Sequence, residues 1–201
     1  TAVLMKVLVT GANGFIGKNL CVFLEENNHE IYKINRESTE DELSDSINKA
    51  DFIFHLAGIN RPKDQSEFTV GNVDYTKLLC NLIKESGKKI PLAFTSSIQS
   101  GNDSEYGRTK AQAEEIILNF GKTNSNPVYI YRLPNVFGKW CNPDYNSAVA
   151  TFCNNIATGK EIQINDPSAA IKLVYIDDVA KSFIDLLAKQ PQNELIEASP
   201  V

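Results

Sequence analysis

Two histidines, four cysteines, one methionine and one tryptophan in 201 residues leave this chain little material for metal or thiol chemistry. Cys21, Cys80, Cys141 and Cys153 are scattered, with no C-x-x-C spacing and no neighbouring histidine pairs. That pattern excludes a zinc-ligand set and a disulfide framework, so the cysteines read as reduced, mostly buried thiols and no metal site is expected. No run approaches the roughly 20 apolar residues that cross a bilayer, and no basic stretch leads into an apolar core and cleavage site. The expectation is a cytoplasmic protein with no membrane insertion. An excess of positive charge is missing too, since 20 Lys+Arg against 25 Asp+Glu give a net charge of −5. Without a basic stripe to displace counterions from phosphates, nucleic acid is not an expected partner, and a small molecule or a protein is. Met5 directly precedes an apolar run, so residues 1–4 read as a remnant ahead of the natural start.

What is present is an alternation. Lys6 to Thr10 reads as a strand, then a Gly-rich turn leads into apolar residues at helical spacing from Phe15. Further strands are expected at Glu30 to Ile34, Asp51 to Leu56, Leu92 to Ser96, Val128 to Leu133 and Ile171 to Tyr175. Helices are expected at Glu40 to Lys49, Val73 to Lys84, Tyr106 to Phe120, Ala148 to Ala157 and Asp178 to Ala188. Strands that are almost continuously apolar and alternate with helices predict an α/β fold, a Rossmann-like doubly wound parallel sheet with helices on both faces. A Pro/Asn/Gly-rich region, Pro134 to Asn146, is where a second lobe would begin.

Gly11-Ala12-Asn13-Gly14-Phe15-Ile16-Gly17 joins the first strand to the first helix with G-x-x-G-x-x-G spacing. Glycines so placed allow a tight turn, close approach of backbone to a pyrophosphate and close helix packing, while free N–H groups and the helix dipole favour the anion. The end of the second strand, Ile34-Asn35-Arg36-Glu37, bears on which dinucleotide is held. Arg36 with Asn35 would accommodate a 2′-phosphate and favours NADP over NAD, whereas a solvated Arg36 would leave ribose recognition to Glu37.

Tyr106 and Lys110 stand four apart at the start of a helix, which puts phenol and ammonium on one face. A nearby ammonium is expected to lower the tyrosine pKa towards a range useful for proton transfer. The preceding strand ends in Thr95-Ser96-Ser97, at the carboxyl edge where open α/β sheets bind ligands. Ser97 is the preferred hydroxyl for polarising a substrate carbonyl and Ser96 the second choice.

A dinucleotide turn, a strand-end serine and Y-x-x-x-K in this order resemble the extended short-chain dehydrogenase/reductase family. Further points of resemblance are His55-Leu56-Ala57-Gly58, Asn72-Val73, Arg132-Leu133-Pro134-Asn135-Val136-Phe137-Gly138 and Tyr175-Ile176-Asp177-Asp178-Val179, so the likeness runs from Met5 to about Ser199. It implies that Tyr106 is the general acid/base, that Lys110 binds the nicotinamide ribose, and that Ser97 polarises the carbonyl. It also implies a cofactor cradle of Gly11, Asn13, Gly14, Phe15, Ile16, Gly17, Asn35, Arg36, Leu56, Ala57, Gly58, Ser96 and Leu133, together with Tyr106 and Lys110. Ser97 and Tyr106 are only nine positions apart, a shorter loop than most extended members have. The short Ser38 to Ala50 stretch drops the small third strand whose acidic end meets adenine, so no adenine contact is assigned. A homodimer through the helices of Asn72 to Lys84 and Tyr106 to Phe120 is a further expectation.

Within that family, Ile98-Gln99 stands where sugar 4,6-dehydratases carry an Asp-Glu pair, which disfavours dehydration. The segments Ala50 to Pro62, Ser96 to Gln99, Val128 to Arg132, Phe137 to Cys141 and Tyr145 to Ser147 are similar to the reductase half of bifunctional capsular-polysaccharide enzymes. This implies NADPH-dependent reduction of the C4 ketone of a UDP-2-acetamido-2,6-dideoxy-4-hexulose on the way to UDP-N-acetyl-L-fucosamine. Arg61, Ser97, Gln99, Asn135 and Asn146 would touch the sugar nucleotide. A nucleotide-sugar 4-epimerase, or a dinucleotide-binding regulatory or scaffold protein without catalysis, are the competing readings. Residue by residue, Arg61 also fits a solvated loop cation and Asn135 a Pro-Asn turn. Trp140 and Tyr145 fit a lobe core better than stacking platforms. His29 reads as a turn residue, His55 as a packed strand histidine, and Asp177 and Asp178 as helix caps. The division expected is a cofactor domain at 5–134 and a partial substrate lobe at 135–201 with return strands to the main sheet. The cupin domain that follows in the capsular enzymes is expected to be absent.

Overall fold

The computed structural model describes residues 4–145 and 147–189, and the backbone of 194–197. Eight strands occur among them: β1 (Lys6–Thr10), β2 (Glu30–Ile34), β3 (Phe52–His55), β4 (Leu92–Ser97), β5 (Val128–Leu133), β6 (Asn135–Phe137), β7 (Leu173–Tyr175) and β8 (Glu194–Glu197). The helices are α1 (Phe15–Glu26), α2 (Glu40–Lys49), α3 (Ser66–Phe68), α4 (Tyr75–Glu85), α5 (Glu105–Asn124), α6 (Ala148–Ala157) and α7 (Ile176–Leu187). Six strands form one sheet in the order β2-β1-β3-β4-β5-β8, and every pairing is parallel. The chain leaves β1 for β2 on one side and returns past it to β3 on the other. That reversal opens a crevice at the carboxyl ends of β1 and β3.

Alternation along each strand explains why the sequence runs are apolar throughout. Leu8, Ile53, Phe94 and Ile130 face α2, α4 and α5 through Leu43, Ile47, Leu79, Ile83 and Ile117. Val9, Phe54 and Tyr131 face α1 and α7 through Leu20, Leu24, Val179 and Phe183. Phe183 closes that second layer, with its ring 5.1 Å from Phe54 and 4.8 Å from Tyr131. Both faces are therefore dry, as a parallel sheet requires.

Several boundaries differ from expectation for identifiable reasons. The helix expected from Val73 starts earlier, as a π turn over Thr69–Asp74 that runs into α4. The helix expected from Tyr106 runs from Glu105 because Ser104 caps it by accepting the Gly107 N–H, and it ends where Ser125 turns left-handed at φ 57°. Asp177 and Asp178 do not cap α7: its N-cap is Tyr175 without a side-chain bond, and both acids sit in the first turn, where they complement the helix dipole. Pro134-Asn135 is not a turn, because Asn135 opens β6, which pairs in parallel with β7 in a separate two-stranded ribbon. The thiols are not mostly buried either: Cys21 and Cys80 are, Cys141 is half-buried and Cys153 is exposed. One return strand to the main sheet, as expected of the 135–201 stretch, appears as β8 beside β5; residues 190–193 and 198–201 lie outside the described residues, as do residues 1–3 of the expected remnant.

Candidate active site

Two glycines make the phosphate turn possible. Gly11 is left-handed at φ +68°, and a Cβ there would stand 2.7 Å from the Ala57 nitrogen. At Gly17 a Cβ would stand 2.2 Å from the Gly11 carbonyl oxygen, so the first turn of α1 lies directly on the loop. Gly14 is the N-cap of α1 and supplies no side-chain cap, which leaves the N–H groups around Phe15 and Ile16 available to an anion. The Asn13 N–H donates to Asn35 Oδ1 at 2.7 Å, which fastens the turn to the end of β2.

A cleft of about 720 Å³ opens beside this turn. Asn13, Gly14, Asn35, Arg36, Glu37 and Ser38 line one side, and Ala57, Gly58, Ile59, Lys63, Val70 and Tyr75 line the other. Arg36 and Glu37 both reach it, so either reading of the second strand end places its residue at the cleft. Lys63, Val70 and Tyr75 escaped the sequence analysis because they belong to no phosphate motif; the signal available was the helix opening at Asn72-Val73, which brings them there.

At the other end of the crevice, β4 and α5 present the three reactive candidates together. The Ser97 hydroxyl hydrogen-bonds the Tyr106 phenol and accepts the Gln99 N–H at 3.1 Å. Ser96 is turned to the opposite face, where it donates to Glu114 Oε1 at 2.5 Å. Arg132 grips the same carboxylate with two bonds of 3.0 and 2.7 Å. This cluster of buried Ser96 and Glu114 with half-buried Arg132 locks α5 to β4 and β5, and its central Glu114 stood in no motif.

The short loop before Tyr106 works because it folds back on itself. Gly101 N–H bonds the Gly107 carbonyl at 2.9 Å, and Gly107 leaves no room for a Cβ, which would stand 2.0 Å from Asn102 Oδ1 and 2.4 Å from the Gln99 carbonyl. Nine positions thus span from Ser97 to Tyr106 without slack.

The electrostatics of the pair depart from expectation. Burial pushes the Tyr106 phenol up, with the Ser97 hydroxyl pulling against it, so the phenol holds its proton at neutral pH. The expected lowering by Lys110 is not seen. Lys110 is itself buried, donates to the Thr95 carbonyl at 3.1 Å, and has its ammonium 5.8 Å from the phenol ring centre. Burial pulls Lys110 down to about 8, and the Glu114 carboxylate pulls it back up. Glu114 resists its own burial through hydrogen bonds from Arg132 and Ser96, which hold its carboxyl below the ordinary range.

One stability prediction follows from the lysine. Between pH 8 and 10.5 the unfolded chain binds a proton at Lys110 that the folded chain does not, so this group makes stability rise with pH there. Urea melts should show wild type gaining on Lys110→Met from pH 7 to pH 10. A gap that stays constant would refute the shift.

His55 lies fully buried between Thr10 and Thr76, at 2.8 and 2.9 Å, and is a packed histidine as expected. Burial first, and the Lys110 charge second, bring it down to about 3. His29, in the turn before β2, accepts the Met5 N–H at Nδ1. Leu56 follows β3 with its N–H on the Thr10 carbonyl, and Leu133 closes β5, buried beside Ser97 in register. Arg61 reaches the Asp144 carbonyl at 3.2 Å and stacks over Tyr145 at 5.4 Å, so two loops distant in sequence meet. Trp140 and Tyr145 are 44% and 39% exposed and are not a lobe core; a left-handed Trp140 turns its ring outward against the Lys139 ammonium. Asn135 spends its amide on the Lys172 carbonyl, and Gln99 is exposed. Asn146 lies outside the described residues.

A Gly-rich turn at the switch point of a doubly wound sheet, with a Ser-Tyr-Lys cluster at the adjacent strand end, is the architecture of the dinucleotide-binding α/β class. The chain belongs to the NAD dependent epimerase/dehydratase family, whose model covers residues 7–198. It is 54% identical over 190 residues to a UDP-2-acetamido-2,6-beta-L-arabino-hexul-4-ose reductase of Pseudomonas aeruginosa, covering 94% of this chain and 51% of that protein. The crystal structure of the capsular polysaccharide assembling protein CapF from Staphylococcus aureus superposes with a TM-score of 0.83 at 40% identity, over 94% of this chain and 53% of that one. A UDP-N-acetylglucosamine 4-epimerase from Bacillus cereus shares the fold at TM-score 0.82 and 21% identity, over 96% of this chain and 77% of its own. The chain thus spans about half the length of the first two relatives.

Proposed function

We propose that this chain carries the reductase chemistry of a nucleotide-sugar pathway: NADPH-dependent reduction of the C4 ketone of a UDP-2-acetamido-2,6-dideoxy-4-hexulose, a reading supported by its 54% identity to a protein named as a UDP-hexul-4-ose reductase. The pathway we infer leads to UDP-N-acetyl-L-fucosamine for surface polysaccharide. The observation that carries this reading is the hydrogen-bonded Ser97–Tyr106 pair above a buried Lys110. The family is NAD-dependent, and the cradle fits a dinucleotide because its glycines leave backbone alone where the pyrophosphate would lie. When bound, the cofactor supplies hydride to the carbonyl carbon. Ser97 donates to the carbonyl oxygen, and Tyr106, protonated by virtue of its burial, gives its proton to the same oxygen as the bond order falls. Lys110 holds the nicotinamide ribose and bears positive charge beside the phenolate that remains. Ile59, Val70 and Tyr75 offer the apolar wall against which adenine would lie.

Purified full-length protein with an enzymatically made UDP-4-ketosugar tests this directly. Stoichiometric NADPH oxidation is expected; dinucleotide binding with no turnover would favour a non-catalytic scaffold instead. Arg36 is assigned to the 2′-phosphate. A charge-assisted hydrogen bond contributes about 1.5–3 kcal/mol, so Arg36→Ala should weaken NADPH by roughly 10- to 150-fold and leave NADH nearly unchanged. Equal losses for both dinucleotides would remove that role. A cytoplasmic homodimer through α4 and α5 completes the proposal, and light scattering reads its mass.

A further inference from the structure

The buried imidazole of His55 lies between the two halves of the site, and its hydrogen bonds allow only one direction. Thr76 Oγ1 gives its single proton to the Asn72 carbonyl at 2.7 Å, so it can only accept from His55 Nε2. The ring therefore carries its proton on Nε2. Nδ1 must then accept from Thr10 Oγ1, which in turn accepts the Ala57 N–H at 3.2 Å. Every donor and acceptor along this line is used once.

Both ends of the line reach the reactive machinery. Thr10 and Ala57 flank Gly11, whose missing Cβ keeps the phosphate turn against Ala57. Beyond Thr76, the Asn72 side chain accepts the Ile59 N–H at 2.8 Å and donates to Thr109 Oγ1 at 3.2 Å. Thr109 donates to the Tyr106 carbonyl at 3.1 Å, inside the catalytic helix. Gly58 backs onto the same junction, where a Cβ would stand 3.1 Å from Asn72 Oδ1 and 3.2 Å from Lys110 Nζ. The π turn over Thr69–Asp74 carries Asn72, and π turns recur where a helix must place a group at a site.

We propose that His55, as the neutral Nε2–H tautomer, is a positioning residue that couples the phosphate turn to the catalytic helix through this one-way hydrogen-bond chain. It touches neither cofactor nor substrate. Its work is to keep the Gly11–Ala57 contact and the Tyr106 backbone in a fixed relation, so that a dinucleotide seated at one end meets an aligned proton donor at the other. The inference rests on the reductase reading only for its turnover arm.

The test has three parts. In the 15N spectrum of the full-length protein, the imidazole signal that disappears in His55→Leu identifies this ring, and it should show a protonated Nε2 and a bare Nδ1; the opposite tautomer overturns the proposal. Thr10→Val and Thr76→Val remove partners on opposite ring nitrogens. Their effects on the dissociation constant for NADPH, read by fluorescence titration, should be non-additive in wild type and additive in a His55→Leu background. Additivity in wild type means there is no coupling and overturns it. At saturating cofactor and substrate, Thr76→Val should lower kcat roughly 10- to 100-fold, the cost of a misplacement approaching an ångström. A melting temperature that falls while kcat and the NADPH dissociation constant stay within about twofold would reduce the ring to packing. The spectrum and the titrations need no sugar, so a wild type that fails to turn over would count against the reductase reading alone.

Discussion

Tyr106→Phe should lower kcat for ketosugar reduction by about 10²- to 10⁴-fold, the range ordinarily supplied by a positioned general acid. The phenol is the only group that both hydrogen-bonds Ser97 and sits on the Lys110 face of α5 among the described residues. The variant keeps the ring that packs 6.1 Å from Phe68, so folding and dinucleotide affinity should be little affected. Stopped-flow measurement of NADPH oxidation, with affinity measured separately, divides the two effects. A kcat within about tenfold of wild type would show that another group delivers the proton. The raised pKa also sets a direction: a phenol kept protonated is prepared for reducing a ketone, and the reverse oxidation should need a distinctly more alkaline medium.

Gly17→Ala is expected to be nearly as damaging by another route. Its methyl group would stand 2.2 Å from the Gly11 carbonyl oxygen and 2.8 Å from Ala12 Cα, and both are backbone. No side-chain rotation relieves this contact, so α1 must lift from the turn. Overpacking of this kind costs about 1–3 kcal/mol of stability, and a phosphate turn opened by about an ångström should lose roughly 100-fold in dinucleotide affinity. Urea melts and fluorescence titration measure the two separately. Unchanged affinity in a destabilised variant would mean that the anion is held elsewhere than on this turn.

How much could be read in advance depended on whether the information was local. The five main-sheet strands read from sequence and the Gly turn announced themselves because burial on both faces forces continuous apolar runs and because glycine spacing has few other uses. The choice between Ser96 and Ser97 could not be made from composition, since both are serine; pleating decides it by sending one hydroxyl to Tyr106 and the other to Glu114. The raised Tyr106 pKa was missed because Lys110 counts as a full charge on paper, whereas in the fold it is buried, committed to Thr95, and 5.8 Å from the ring. β6 is three residues long and holds its place through pairing with a strand 38 positions later, a contact no local pattern encodes. The outward Trp140 and Tyr145 similarly take their orientation from a left-handed backbone and from Arg61 in a remote loop.

The adjacent serines of β4 carry a consequence for how this site tolerates sequence change. Because neighbouring positions on a strand look in opposite directions, one serine meets Tyr106, the proposed proton donor, and the other anchors α5 through Glu114. Loss of the first should give a stable protein that reacts slowly, and loss of the second a less stable one whose folded molecules still react. A single-residue deletion between Leu92 and Ser96 acts differently, because it draws Ser97 into the place of Ser96 and sets Ile98 where the Ser97 hydroxyl stood. Point substitutions can therefore erode the proposed activity by degrees, whereas a one-codon slip in the same strand would leave an isoleucine facing Tyr106.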